Sequence, residues 1–131
     1  MSKSIKLKNN IFLNGEICDM DTDSYGTYIK WANGLAMFYS TSYYYKDFHF
    51  FQQNGIYRAT DEINKTYTPN LFINAPLVFT NVVYAGGDII WLAEKGYDGS
   101  KSRTQNFYLV SPVSRGTMEV NISFLAIGRW K

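Results

Sequence analysis

The chain has 131 residues and a formal net charge of +2. That length suits one domain large enough to build a core without disulfide or metal staples. The charge is too small to drive nucleic-acid binding by counterion release. Hydrophobic residues make up 46%, which excludes a disordered chain. One cysteine, Cys18, excludes an intrachain disulfide and a cysteine-rich zinc site. No stretch approaches the roughly 20 apolar residues that span a bilayer. The start, Met1 to Lys8, alternates Lys with other residues and lacks the apolar run of a secretory signal. The expectation is synthesis in a cytoplasm without membrane insertion, which leaves export on a particle open.

Aromatics reach 18%, with 11 Tyr, 9 Phe and 3 Trp, a composition that favours strands. Ile5 to Leu7 alternates with charge and reads as a short strand. Asn9-Asn10 then turns the chain toward Ile11 and Leu13. Gly15 to Gly26 is polar and acidic and reads as a loop. Tyr28 to Ala32, Asn33-Gly34 and Leu35 to Tyr39 read as a hairpin on a type I′ turn. Ser40 to Phe51 is dense in aromatics, including Tyr43, Tyr44 and Tyr45. Gln52 to Thr68 is hydrophilic and reads as a long loop or a small helical turn.

Leu77 to Tyr84 is rich in β-branched residues and reads as a strand. Gly86-Gly87 turns the chain and Ile89 to Ala93 returns it. Glu94 to Asn106, with Gly96 and Gly99, reads as an exposed loop. Phe107 to Val113 reads as a strand and Ser114-Arg115-Gly116 as a turn. Met118, Val120, Ile122, Phe124 and Ala126 then alternate with Glu119, Asn121 and Ser123, the pattern of a half-buried strand. No sustained helical period occurs. The fold class is therefore all-β: one antiparallel β-sandwich over residues 1–131, with a strand and hairpin in 1–40 packed on it.

Few residues suit catalysis. His49 is the one histidine and sits in an aromatic-rich run, as a packed or surface strand residue would. No Gly-x-Ser-x-Gly elbow and no glycine-rich phosphate loop is present. Cys18 beside Asp19 lacks a basic neighbour to lower its pKa and reads as a packed thiol. Asp19, Asp21 and Asp23 resemble the first half of a calcium loop, but Lys30 stands where the bidentate Glu belongs. The plain reading is a solvated acidic loop. The expectation is no catalytic residue, no metal and no cofactor. A glycosidase would need two carboxylates roughly 5–10 Å apart, for which Asp88 and Asp98 are the pair to test.

Sugar sites pair aromatic platforms with polar side chains. Trp91, Tyr97, Asp98, Arg103 and Arg115 are the available parts. The plain readings are core or subunit packing for Trp91 and an ordinary solvated loop for the others.

Four segments resemble one family together. Leu7-Lys-Asn-Asn-Ile-Phe-Leu13 is similar to the strand that begins many modules of minor structural proteins from phages of Gram-positive bacteria. Tyr28-Ile-Lys-Trp-Ala-Asn-Gly-Leu-Ala-Met37 resembles the hairpin opening many C-terminal tail-fibre domains. Phe72-Ile-Asn-Ala-Pro-Leu-Val-Phe79 is similar to their apolar-Pro-apolar segment, and Ile122 to Lys131 to their terminal strand. Ala-Ile-Gly-Arg-Trp-Lys131 is the most specific piece. The second half is also similar to H-type lectins, which form trimeric sandwiches that bind N-acetylgalactosamine-like sugars. Their sugar-holding aromatic has no counterpart in Val113 to Thr117, where Arg115 is the matching polar residue.

The resemblance implies a distal domain of a bacteriophage tail fibre, carried on the virion tail as a homotrimer. Its implied partners are itself, other tail or baseplate proteins, and a host cell-wall glycan, either wall polysaccharide or a teichoic-acid-like polymer. The chain would be either a free-standing tail protein or the end of a longer fibre. A purely structural trimerisation or capping role is the alternative.

Overall fold

The structure, a computed structural model, describes residues 15–84, 89–96 and 98–131. The expected strand at Ile5 to Leu7 and the Gly86-Gly87 turn lie outside them. The described residues form strands and no helix: β1 (Ile17–Thr22), β2 (Thr27–Trp31), β3 (Leu35–Asp47), β4 (Phe50–Gln53), β5 (Ile56–Ala59), β6 (Leu77–Tyr84), β7 (Trp91–Glu94), β8 (Phe107–Ser111) and β9 (Thr117–Arg129). They make a large sheet, ordered β1-β2-β3-β9-β6, and a small sheet, ordered β4-β5-β8-β7. Every pairing is antiparallel. This is the all-β sandwich that the sequence implies.

The alternation of β9 sets the architecture. Met118, Val120, Ile122, Phe124 and Ala126 are all buried, as their spacing implies. The first four face the small sheet, whose Ala59, Phe107 and Leu109 close the main core with Phe48 and Ile63. A second core lies beside it, where Phe72, Leu71 and Tyr67 pack over Ala36, Phe38 and Ala126. Tyr67 meets Phe38 and Phe72 edge-on, at centroid distances of 5.4 and 5.1 Å. Gly128 lets this segment lie close to β9, since a Cβ there would stand 2.9 Å from the Pro76 Cβ. The C-terminus closes on the first hairpin: Trp130 N donates to Gly34 O and its indole Nε1 to Trp31 O, at 2.9 and 2.8 Å.

The Asn-Gly pairs at 33–34 and 54–55 differ. At the β2–β3 hairpin, Gly34 N donates to Trp31 O at 3.0 Å and Gly34 has a φ of 94°, while Asn33 stays at negative φ. This is a type I turn followed by a positive-φ glycine, not the expected type I′. The Asn33 side chain explains the change, accepting from Leu35 N at 3.0 Å and so filling a three-residue loop. The strict two-residue loop lies at Asn54-Gly55, with φ of 53° and 82° and Gln53 opposite Ile56. The segment expected as a long loop from Gln52 is therefore, in its first part, the β4–β5 hairpin.

Residues expected as an acidic loop form β1, an edge strand exposed along its whole length. Turn chemistry commits it to pairing: Asp23 Oδ1 accepts from Tyr25 N and Gly26 N at 2.8 and 3.1 Å, which aims β1 back along β2. Cys18, expected to be packed, is exposed because it lies on this edge.

Tyr67 carries a buried hydroxyl with no hydrogen-bond partner among the described residues. Burial pushes its phenol well above the ordinary tyrosine range, against the opposing pull of Arg103. Tyr67→Phe keeps both ring contacts and removes the unsatisfied group. Thermal unfolding is expected to show a gain of about 1 kcal/mol, a rise of roughly 3 °C. A drop in the midpoint would show that the hydroxyl has a partner.

Candidate functional site

In an antiparallel ladder, directly opposed residues share a face. Phe51 is opposite Arg58, Arg58 opposite Val110, and Val110 opposite Trp91. Their neighbours Phe50, Ala59, Leu109 and Leu92 pack into the core. The row Phe51–Arg58–Val110–Trp91 therefore lies on the outer face of the small sheet.

Val110 is 1% exposed although it points away from the core, so its neighbours cover it. The Arg58 guanidinium carbon lies 4.0 Å from the centroid of the Tyr108 ring and 4.8 Å from that of Phe51. Such contacts contribute about 0.5–2 kcal/mol, more as water is excluded. Phe51 and Trp91 remain 38% and 40% exposed. The face thus offers partly open rings on either side of a stacked cation. Rings of this kind accept the apolar face of a sugar, and a guanidinium donates to hydroxyls or anions.

The residues chosen from sequence fall in separate places. Trp91 joins the row just described. Asp98 and Arg103 come together in the 95–106 connection, with 4.0 Å between Arg103 Nη2 and Asp98 Oδ2. They leave from the opposite end of β7, where Glu94 pairs with Phe107. Three residues of strand, about 10 Å, separate that end from Trp91. Arg115 is half-buried in the connection between β8 and β9, which leaves from the Trp91 end. Tyr97 and Asp88 lie outside the described residues.

Asp98 clasps its loop. Its carboxylate accepts from Asn106 N at 2.8 Å and from Asn106 Nδ2 at 2.6 Å. The same Asn106 accepts from Asn64 Nδ2 at 2.6 Å, and Lys65 N donates to the fully buried Thr104 at 2.9 Å. Asn106 and Arg103 thus hold Asp98 within its own connection, while Asn106 and Thr104 tie that connection to Asn64 and Lys65, and the Asp98 carboxylate is left less free for a ligand. The Asn106 bonds, with Arg103 nearby, hold the Asp98 carboxyl below the usual aspartate range against its partial desolvation. In the acidic run, Asp23 also accepts from Thr68 Oγ1 at 2.9 Å, and Asp19 from the Tyr28 hydroxyl at 3.0 Å.

The outer face of the large sheet is different. Ladder register aligns Met20, Ile29, Met37, Ile127 and Leu77 in one row across the sheet. The next row runs through Tyr39, Leu125 and Phe79. Met20, Tyr39, Leu77 and Phe79 are each at least half exposed, and Tyr43 and Tyr45 extend the aromatic surface along β3. Monomeric proteins rarely leave so continuous an apolar face to water.

Two solved structures share this architecture. One is the C-terminal part of the R1 pyocin fibre of P. aeruginosa, with a TM-score of 0.58 and 16% identity over 98% of this chain. The chain spans 32% of that fragment. The other is an N-truncated R1-type pyocin tail fibre, with a TM-score of 0.57, 18% identity and 98% of each chain covered. The chain shares the fold of a pyocin tail fibre. No family model matches the sequence, and no curated protein matches it.

Phe51, Arg58 and Tyr108 were not singled out from sequence. The signal was present: a strict two-residue turn at Asn54-Gly55 places Phe51 opposite Arg58 by counting outward.

A lowered carboxylate pKa gives the loop clasp a defined pH dependence. It is fully formed above the ordinary aspartate value and is lost as pH falls through the lower folded value. Carboxyl-detected NMR is expected to show Asp98 titrating below the free value of roughly 3.9, with Asn106 amide protection lost over the same interval. Titration at or above that value would contradict the clasp.

Proposed function

We propose that this chain is a host-facing domain of a phage tail or tail-like appendage, a binding module rather than an enzyme. It takes a glycan of the bacterial surface and works as a homotrimer. One observation carries this reading: a fold shared with a pyocin tail fibre has two outer faces of opposite character. The large sheet offers two adjacent apolar rows suited to copies of the same chain. The small sheet offers a stacked cation between exposed rings, suited to a polar ligand with flat faces. On this reading the domain sits on the virion tail among other tail or baseplate proteins. Phages of Gram-positive hosts, and a ligand of the wall-polysaccharide type, are its most specific form.

The mechanism is avidity. Three shallow sites on one rigid tip bind a repeating polymer far more tightly than each site alone, by about 10²–10⁴-fold where the spacing fits. Weak single contacts then suffice.

Phe79→Glu places a charge on the apolar face without touching the core, because Phe79 is 55% exposed within the protomer. Light scattering is expected to give three times the 15.1 kDa protomer mass for the unmodified chain and a folded monomer for the variant. Binding of labelled protein to host cells is expected to fall by about 10²-fold or more in the variant. A monomeric unmodified chain at micromolar concentration would overturn the trimer. An unchanged variant, trimeric and binding, would place the subunit contact elsewhere.

A further inference from the structure

Arginines buried against aromatic rings usually complete their hydrogen bonds with a carboxylate or a backbone carbonyl, because desolvating a guanidinium is costly. Arg58 does neither. Its Nε is buried without a hydrogen-bond partner, and no ion pair joins it among the described residues. Covering Val110 would need only an apolar stem. What remains is a planar cation fixed by Tyr108 and Phe51, in line with Trp91 across one strand. Strand spacing puts the Arg58 and Trp91 Cα atoms about 10 Å apart, the reach of one or two sugar rings.

We infer that Arg58 is the anion-recognising residue of this surface, and that its ligand is an acidic glycan whose carboxylate or phosphodiester meets the guanidinium while a sugar ring lies on Trp91. This deepens the adhesion reading and rests on it. Ring stacking sets the orientation of the guanidinium before the ligand arrives, so little side-chain freedom is lost on binding. The planar fork then donates two bonds to one carboxylate or phosphate, which a neutral sugar cannot exploit.

Calorimetric titration with three oligomers tests it: oligogalacturonate for carboxylates, poly(glycerol phosphate) for phosphodiesters, and a neutral dextran. At least one acidic oligomer is expected to bind, with affinity that weakens as salt rises. The one that binds identifies the anion. Arg58→Met keeps Val110 covered and is expected to lower that affinity at least tenfold. Arg58→Lys, which keeps the charge and loses the fork, should fall between. Unaltered affinity in both variants, or dextran binding as tight as that of the acidic oligomers, overturns the inference. Dextran binding that Trp91→Ala abolishes and Arg58→Met spares does the same but leaves the adhesion reading standing. If neither acidic oligomer binds, the inference falls. If labelled protein also fails to bind whole cells, the adhesion reading falls with it.

Discussion

The structure depends on the pairing of β3 with β9 in one unbroken register, from Leu35 opposite Arg129 to Asp47 opposite Thr117. A strand has two faces, and a slip of one residue would exchange them. Here the even-numbered residues of both strands share the inner face, and all but Lys46 turn toward the small sheet or the Tyr67–Phe72 segment. The odd-numbered residues must then form the opposite face. The apolar outer surface is thus tied to the same ladder that fixes the core, and neither can be altered without regard to the other.

That division also separates the two roles proposed for the molecule. Apolar rows on the large sheet carry few polar side-chain groups and gain by leaving water, at about 25 cal/mol per Å² of apolar surface. The small sheet is narrower, and its outer row contains one stacked guanidinium and rings that are neither buried nor fully open. A surface of this kind costs little to keep solvated and loses little order on binding. Loops tied by Asp98 and Asn106 frame one end of the small sheet and hold β7 against β8 there. Their polar contacts are used up within the protein, which is why the proposed ligand surface is the sheet and not the loops.

Much of this was legible in the residues. The alternation from Met118 to Ala126 located both core and face, because period 2 has no other interpretation over so many residues. The Pro76-started strand and the first hairpin were equally clear. The site was less so. Trp91 was selected for its chemistry, yet its neighbours come from β5 and β4, which are distant in sequence and joined to it only through β8. Reading Gln52 onward as a loop hid the Asn54-Gly55 turn, since its flanks, Gln53 and Ile56, show no strong alternation. β1 escaped notice because aspartates disfavour strands, and only its turn and its partner hold it extended. Asp98 and Arg103 were rightly placed in a loop, but sequence does not show that Asn106 occupies the carboxylate.

Hydroxyl-radical footprinting of the assembled protein tests the central claim, that one outer face meets copies of the chain while the other stays open for ligand. The account predicts that Met20, Tyr39, Leu77 and Phe79 resist oxidation while Phe51 and Trp91 react, and that adding ligand protects the second pair alone. Strong oxidation at Leu77 and Phe79 in the assembled protein, with Trp91 protected before any ligand is added, would contradict it.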